Sequence, residues 1–220
     1  MLSVVIPALN AAHSLGACLD GLAGADEIVV ADGGSTDGTS EVARERAALV
    51  VEAEKGRGPQ LIAGAAKATG DWLLFLHADT ILSAEWPESV REHCSAAPHK
   101  AAILSFGLNA DAWQARLIER GVALRTRLGL PYGDQGLLVS RALYEELGGY
   151  RPLPLFEDVD LIRRIGRRRL RLLKAQALTS AERWQRDGWF RRSARNLLLL
   201  GLHGMGVRPD RLARLYNPPP

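Results

Sequence analysis

The sequence predicts an α/β fold of three layers, in which helices cover both faces of a mostly parallel central sheet. Three observations support this prediction. Short apolar runs alternate with helical patterns through the first half, the connections are long enough for crossover helices, and a Gly/Ser/Thr turn follows the second apolar run. With 220 residues, the chain is long enough to form one domain with a substantial core.

The predicted elements of the first half follow a regular order. A β-branched run favours a first strand over residues 2–8, and apolar spacing indicates a helix over 12–24. Further strands are predicted at 26–32, 49–54 and 71–79, with helices at 39–48 and 58–70 between them.

The second half is less regular. Ser83 is the predicted N-cap of a helix over 83–97. The remaining elements are predicted as a strand at 101–108, a helix at 112–129, a strand at 135–140, and helices at 141–149 and 157–168. The last of these begins with acidic residues and ends with basic ones, as the helix dipole favours.

Charge is distributed unevenly along the chain. Residues 1–110 hold 7 Lys and Arg against 14 Asp and Glu, whereas residues 111–220 hold 21 against 11. This asymmetry indicates an anionic partner toward the C-terminal half, such as a phosphate leaving group or a phospholipid surface; the alternative is a solvated arginine-rich face. No recognition motif for nucleic acid accompanies the charge, so we expect no nucleic-acid partner.

Composition also predicts the compartment. The N-terminus lacks the basic and apolar regions of a signal peptide, and the apolar run at 196–202 is too short to span a bilayer. Cys18 and Cys94 stand alone in helical patterns, which is typical of reduced thiols in a cytoplasmic protein.

Two glycine-containing turns could hold a nucleotide. Asp32 ends the second predicted strand, where its carboxylate could accept hydrogen bonds from a base or ribose; alternatively, Asp32 and Ser35 only build the turn. The turn lacks the G-x-G-x-x-G spacing of a dinucleotide site. Lys55 and Arg57 precede a helix whose N-terminus would suit a diphosphate.

Two acidic segments could carry the chemistry. In "LLFLHADTIL" (73–82), His77 and Asp79 would leave a strand on the same face and meet either a metal ion or solvent. In "LFEDVDLIRRIGRRR" (155–169), Glu157, Asp158 and Asp160 open a helix, where a carboxylate could cap the helix or act as a general base.

Taken together, these segments resemble family 2 glycosyltransferases with the GT-A fold. The resemblance covers residues 1–170 and rests on "SVVIPALNAAHSL", "EIVVADGGSTDGT", "KGRGPQLIAGAAKATGDWLLFLHADT" and "GGYRPLPLFEDVDLIRRI". More narrowly, "GDQGLLVSRALYEELGGY" and "NLLLLGLHGMGVRPDRLARLY" look like the rSAM/selenodomain-associated transferase 2 branch. The resemblance divides one domain, 1–220, into a nucleotide-sugar-binding half (1–110), an acceptor and catalytic half (111–185) and a helical extension (186–220).

The resemblance also implies roles for individual residues. Asp158 is the expected general base, beside Glu157, and Asp79 is the expected ligand of a divalent metal, Mg²⁺ or Mn²⁺. The acceptor side would involve Asp134, Gln135 and Trp184. The expected nucleotide-sugar-binding residues are Pro7, Ala8, Asn10, Asp32, Gly34, Lys55, Arg57, Gly64, His77 and Ala78.

His77 departs from the family pattern. It stands where the D-x-D motif has its first aspartate, and imidazole is a poor ligand for Mg²⁺. A neutral imidazole could instead contact the ribose, since it offers one donor and one acceptor. A structural role for His77 is the alternative.

The expected function is therefore that of a metal-dependent, inverting glycosyltransferase. It would take the sugar from a nucleotide-diphosphate sugar and transfer it to an acceptor that the sequence does not identify; a lipid-linked acceptor is one candidate. The alternatives are a catalytically inactive sugar-nucleotide binding protein and a sugar nucleotidyltransferase; the latter is disfavoured because no glycine and cation cluster follows the first strand. The segment 188–207 joins arginines to leucines, so it could contact the inner membrane peripherally or form a homodimer.

Overall fold

The computed structural model describes residues 1–127 and 135–216. Its strands are β1 Leu2–Ala8, β2 Glu27–Asp32, β3 Leu49–Glu52, β4 Trp72–Phe75, β5 Thr80–Leu82, β6 Ala101–Asn109, β7 Leu137–Ser140 and β8 Leu170–Ser180. Its helices are α1 Ala12–Asp20, α2 Thr39–Glu45, α3 Arg57–Lys67, α4 Trp86–Ala96, α5 Trp113–Arg127, α6 Arg141–Glu146, α7 Glu157–Ile165, α8 Glu182–Asp187, α9 Trp189–Gly204 and α10 Pro209–Tyr216. The predicted α/β class is confirmed.

The strands of the described residues form one sheet in the order β3-β2-β1-β4-β7-β6-β8-β5. Neighbours from β3 to β4 are parallel, as crossover helices require. β7 is antiparallel to β4 and β6, β8 is parallel to β6, and β5 is antiparallel to β8. The sheet is mixed, and the carboxyl ends of β1, β2 and β4 meet at one edge.

Helices cover both faces of the sheet, as the three-layer prediction requires. Val4 and Ile6 of β1 face a core that includes side chains of α1, α2 and α4. Val5 points to the opposite core, which includes side chains of α3, α6 and α7. Consecutive residues of a strand alternate between faces, so one apolar strand supplies both cores.

The predicted fourth strand is wrong at its end. It stops at Phe75 and not at Asp79, so His77 and Asp79 lie in a turn in which the Thr80 amide donates to the His77 carbonyl at 3.2 Å. His77 and Asp79 therefore do not leave one face of a strand, contrary to the sequence prediction. The turn leads directly into β5, a short strand that pairs with β8; neither strand was predicted.

The predicted N-cap Ser83 is also wrong. Helix α4 begins at Trp86, and the Ser83 hydroxyl accepts a hydrogen bond from the Gln176 amide at 2.8 Å. The side chain is used to join the start of α4 to the middle of β8. This contact spans 93 residues of sequence, so local capping rules could not anticipate it.

The described residues end in helices α8 to α10, which confirms the predicted helical C-terminal segment. Within the described residues, no helix combines the length and apolar character needed to cross a bilayer. The segment reaches the start of α7, where the His203 ring stacks on the Phe156 ring at a centroid distance of 4.8 Å. Phe156 has a left-handed φ of 65° and directly precedes Glu157. Such a φ is rare for a bulky residue.

Candidate active site

The loops after β1 and β2 are joined by reciprocal hydrogen bonds. The Asn10 amide donates to the Ser35 hydroxyl at 2.9 Å, and the Thr36 amide donates to Asn10 Oδ1 at 2.9 Å. Asn10 adopts a left-handed φ of 49°, which an asparagine tolerates well. The two loops therefore form one connected surface at the carboxyl edge of the sheet.

Asp32 is buried and fully engaged in the turn that follows β2. Its Oδ1 accepts hydrogen bonds from the Ser35 amide (3.0 Å) and hydroxyl (2.6 Å), and its Oδ2 accepts one from the Ser40 hydroxyl at 2.6 Å. Burial alone would raise the pKa of Asp32, but the bonds from Ser35 and Ser40 outweigh it and hold the pKa below its usual value. Asp32 thus shapes the loop, and its contact with a nucleotide stays a prediction.

A buried glutamine, which the sequence did not single out, ties helix α3 to the same edge. Gln60 Nε2 donates to the Ala8 carbonyl at 2.5 Å and to the Ala31 carbonyl at 2.9 Å. A Cβ on Gly33 would lie 3.0 Å from the Gln60 side chain, so glycine suits that position. Of the predicted nucleotide-side residues here, Ala8 is buried, whereas Gly34 has open space around it.

Arg57 brings together two other predicted site residues. Its Nε lies 3.1 Å from Glu157 Oε1, and its Nη2 contacts His77 Nε2. These side chains come from the start of α3, the turn after β4 and the start of α7. Lys55, the second predicted cation of this loop, is exposed. A positive group consequently stands between the proposed metal-binding turn and the proposed catalytic carboxylates.

Both acidic residues at the start of α7 lie close to this cluster. The Glu157 side chain is 4% exposed; burial raises its pKa, and Arg57 opposes that effect. Asp158 is half-buried and its Oδ1 accepts the Val159 amide at 2.7 Å. Tyr150, also not singled out by the sequence, is buried beside them, and burial together with the charge of Asp158 raises its pKa well above the usual value.

His77 and Asp79 remain neighbours although they are not on a strand. His77 Nδ1 lies 4.0 Å from Asp79 Oδ1. Burial and the charges of Arg57 and Arg183 hold the pKa of His77 well below its usual value, so the imidazole is neutral at pH 7. A neutral ring keeps one nitrogen as an acceptor, which suits the contact with Arg57.

Asp79 has the features of a cation ligand. Its Oδ1 is buried and has no hydrogen-bond partner among the described residues, a costly state for a carboxylate oxygen unless something positive completes it. No group of three or more His, Cys, Asp or Glu side chains forms a metal cluster within residues 1–127 and 135–216. The residues present therefore fit a metal ion that has one protein carboxylate as a ligand and the substrate or water as its remaining ligands.

The predicted acceptor residues have different environments. Gln135 is buried; its Nε2 donates to the Leu104 carbonyl at 3.1 Å, and its Oε1 accepts the Thr126 hydroxyl at 3.0 Å. Trp184 packs at the start of the C-terminal segment, 6.4 Å from the Phe106 ring. Asp134 lies outside the described residues. Acceptor binding by these residues stays a prediction.

The part of the chain from β1 to α5 shows the family to which it belongs. The model described as "Glycosyl transferase family 2" matches residues 3–128. This chain belongs to that family. The match covers more than half of the chain and includes the loops after β1, β2 and β4 described above, so the predicted family is confirmed. The narrower branch stays a prediction.

Curated relatives of this transferase family member come from mycobacteria. The PGL/p-HBAD biosynthesis glycosyltransferases of Mycobacterium bovis and Mycobacterium tuberculosis are 42% identical to it over 93 residues, which cover 37% of this chain and 36% of the relative. The chain thus spans only about a third of the length of the curated relatives that it matches.

Solved structures with the same architecture are more distant in sequence. Glucosyl-3-phosphoglycerate synthase from Mycobacterium tuberculosis, crystallised with Mn²⁺, UDP and glucosyl-3-phosphoglycerate, is 21% identical, with a TM-score of 0.59 over 81% of this chain and 71% of that one. Staphylococcus aureus TarS (residues 1–349) is 17% identical, with a TM-score of 0.64 over 96% of this chain and 68% of that one. These similarities establish the GT-A fold.

Proposed function

We propose that this protein transfers a sugar from a nucleotide-diphosphate sugar to an acceptor hydroxyl, with inversion at the anomeric carbon. The observation that supports this most strongly is the convergence of Arg57, His77 and Glu157 beside Asp79 and Asp158. A cation, a neutral imidazole and carboxylates are thereby placed where strands of this fold end, which is where α/β sheets bind ligands.

The donor would bind across the carboxyl edge of the sheet. The loops of Pro7, Ala8, Asn10, Asp32 and Gly34 suit the nucleoside, since their backbone is held in place by the hydrogen bonds of Asn10 and Asp32. Lys55 and Arg57 would offset the charge of the diphosphate. His77 and Ala78 in the turn after β4 complete the proposed donor side. Gly64 is buried where α3 packs against Val5 of β1, so it would act only by letting α3 lie close to the sheet.

A divalent metal, Mn²⁺ or Mg²⁺, would be held through Asp79. When bound, it supplies positive charge that stabilises the departing diphosphate. The orphaned oxygen of Asp79 supports this proposal, and a structural neighbour that was crystallised with Mn²⁺ and UDP-glucose agrees with it. His77 would orient Asp79 or contact the ribose, so we expect its removal to cost less than that of Asp79.

The reaction needs a proton acceptor on the acceptor side of the sugar. Asp158 would take the proton of the acceptor hydroxyl while that oxygen forms a bond to the anomeric carbon. The bond from the anomeric carbon to the diphosphate oxygen breaks at the same time, and the nucleoside diphosphate leaves with the electron pair. Glu157 would act by holding Arg57 at 3.1 Å from its carboxylate.

Replacement of Asp158 tests the assignment directly. We expect Asp158→Asn to lower sugar transfer by about 10²–10⁴-fold, the contribution of a general base, while donor binding with Mn²⁺ is retained. Calorimetric titration of UDP- and GDP-sugars measures binding, and nucleotide release measures turnover. Asp111→Asn, which changes an exposed aspartate in the loop before α5, serves as the matched control. Full turnover in Asp158→Asn contradicts the role of Asp158 as base.

The same assays separate the alternative functions. Donor binding with no release of nucleotide by the wild type would support a catalytically inactive sugar-nucleotide binding protein. Formation of a sugar nucleotide from a nucleoside triphosphate and a sugar phosphate would support a nucleotidyltransferase.

The exposed face of α9 supports a proposal about partners. Phe190, Leu197 and Leu198 are each more than half exposed, and Arg191 stands among them on the same helix. We infer that the segment 188–207 contacts either a membrane surface or a second copy of the chain. A peripheral contact of this kind would suit a cytoplasmic enzyme with a lipid-linked acceptor.

A further inference from the structure

A cavity of about 610 Å³ opens within the C-terminal segment. We call it the arginine cleft, after the five arginines that line it: Arg183, Arg186, Arg191, Arg192 and Arg195. Among the residues that the structure describes, Asp187 is the one acidic residue in the lining, so this lining carries more positive than negative charge. Five cations repel one another, and an anionic ligand would relieve that repulsion.

Arg192 is built into the wall of the cleft. It is buried, with 6% exposure, and its Nη1 donates to Asp187 Oδ2 at 2.6 Å. Its guanidinium group lies 5.2 Å from the centre of the Trp184 ring, and its Nη2 donates to the Tyr216 hydroxyl at 3.3 Å. These contacts hold the guanidinium group of Arg192 in one position, whereas the guanidinium group of a surface arginine is mobile.

One carboxylate serves several of these arginines. Asp187 accepts a hydrogen bond from Arg186 Nε at 2.9 Å as well as from Arg192, and Arg195 Nη2 lies 3.8 Å from its Oδ2. Arg195 also stacks over the Tyr216 ring at 5.2 Å. The hydrogen bonds from Arg186 and Arg192, together with their charges, hold the pKa of Asp187 below its usual value. Asp187 thus positions the arginines but balances only a fraction of their charge.

The cleft adjoins the proposed donor site. The Ser180 amide donates to the Asp79 carbonyl at 3.0 Å, and Arg183 follows three residues later. The charge of Arg183 contributes to the lowered pKa of His77, which places the two groups near each other. Glu182 Oε2 lies 3.6 Å from His13 Nε2, so the start of α8 lies beside α1. A molecule in the cleft would therefore extend toward Asp79 from the C-terminal side.

We propose that the arginine cleft binds the phosphate group of a phosphorylated acceptor, so that the acceptor hydroxyl is presented to the sugar. Guanidinium groups bind phosphate oxygens in pairs, which gives both affinity and orientation. The volume of the cleft exceeds that of one phosphate group, so the cleft admits the rest of a small molecule or a lipid headgroup. This role rests on the proposed transferase function, whereas the anion site itself does not require turnover.

The test uses a matched pair of probes, glycerol 3-phosphate and glycerol, titrated calorimetrically into the full chain without a nucleotide sugar. A parallel arm measures binding to phosphatidylcholine vesicles with and without phosphatidic acid. The cleft variant is Arg186→Gln/Arg195→Gln, which leaves the buried Arg192 and Arg191 on the exposed face of α9 in place. The control is Arg120→Gln/Arg168→Gln, which removes two exposed arginines outside the cleft. Melting temperatures verify that both variants fold.

We expect glycerol 3-phosphate or phosphatidic acid to bind the wild type, and glycerol and neutral vesicles not to bind. The cleft variant should bind about tenfold more weakly or worse, because charge-assisted hydrogen bonds are lost, and the control should change little. If glycerol 3-phosphate binds the wild type and the cleft variant loses this binding, the acceptor is a soluble phosphate. If only the phosphatidic acid vesicles show this behaviour, the acceptor is a lipid phosphate. Absence of binding to both probes, or equal loss in the control, overturns the proposal. The titrations contain no nucleotide sugar, so they measure the anion site whether or not the protein transfers a sugar.

Discussion

The donor side and the arginine cleft are built on different principles. On the donor side, Asp32 and Asn10 hold the loops through hydrogen bonds that are all internal to the protein. In the cleft, one carboxylate, Asp187, shares its two oxygens among the arginines around an open cavity. The loops of Asp32 and Asn10 are therefore held in place before a ligand arrives, whereas the cleft has more positive charge than Asp187 balances.

This contrast follows the division of charge along the sequence. The acidic N-terminal half uses its carboxylates as acceptors for backbone and hydroxyl groups, as Asp32 and Asp37 do. The basic C-terminal half has more cations than such acceptors. Perturbing each side by the same type of substitution tests whether the contrast is real.

The largest expected difference in stability concerns glycines in two helices. A Cβ at Gly64 of α3 would lie 2.5 Å from Val5 Cγ1, whereas a Cβ at Gly201 of α9 meets nothing within 4 Å. We expect Gly64→Ala to lower the free energy of unfolding by about 1–3 kcal/mol through overpacking. Gly201→Ala should raise it by up to about 1 kcal/mol through helix propensity. Urea denaturation measures both, and equal effects would remove the contrast in packing.

Arginines on the two sides should also differ. Arg57→Gln removes the cation beside the buried Glu157, so we expect the free energy of unfolding to fall by about 1–2 kcal/mol. The loss should not be larger, because solvent partly screens the charge of Arg57. The pKa of Glu157 should rise further, since Arg57 lowers it. Arg186→Gln removes an exposed partner of Asp187 and should cost less. Thermal unfolding near neutral pH compares the two variants; a larger loss for Arg186→Gln would reverse the interpretation.

The hydrogen bonds of Asp32 predict a dependence of stability on pH. Folding lowers the pKa of Asp32, so its contribution is complete above the ordinary Asp pKa of about 3.9 and is lost as pH falls through the lower pKa of the folded state. We expect Asp32→Asn to lose about 1–2 kcal/mol at neutral pH, with the gap to wild type closing in acid. Denaturant titrations across this range measure the gap. Asp111→Asn should show no such closure, and a gap that widens in acid would contradict the prediction.

The smallest effect on stability is expected on the exposed face of α9. Leu197→Ser/Leu198→Ser should change the free energy of unfolding by less than about 0.5 kcal/mol, because both side chains are mostly exposed. The same change should reduce vesicle binding or self-association. Flotation with vesicles and sedimentation velocity distinguish these two contacts. A wild-type chain that shows neither would contradict the proposed role of 188–207.

The parallel half of the fold could be predicted because its strands are continuous apolar runs separated by helices. Strand β8 could not, since Arg171 and Lys174 interrupt its apolar pattern and its pairing with the distant strands β6 and β5 cannot be read from local sequence. Strand β5 has three residues, which is too short for a periodic signal.

The sequence singled out individual residues of the candidate site but not the contacts between them. The position of Asp79 could be inferred from the end of an apolar run. The contacts of its neighbour His77 with Arg57, and of Arg57 with Glu157, depend on how α3 and α7 pack on the sheet, which no local pattern encodes. Gln60 and Tyr150 gave no signal, because a single polar residue in a helix or a tyrosine beside glycines is common in any sequence.

The stacking of His203 on Phe156 limits how this chain can be recombined with its relatives. Phe156 immediately precedes the proposed catalytic carboxylates, and its left-handed backbone is supported by a ring from α9. A chimera that exchanged only the C-terminal helices, to import a different acceptor preference, would separate this pair and release the start of α7. Residues 156 and 203 should therefore be exchanged together, because the contact between their rings joins α9 to the start of α7.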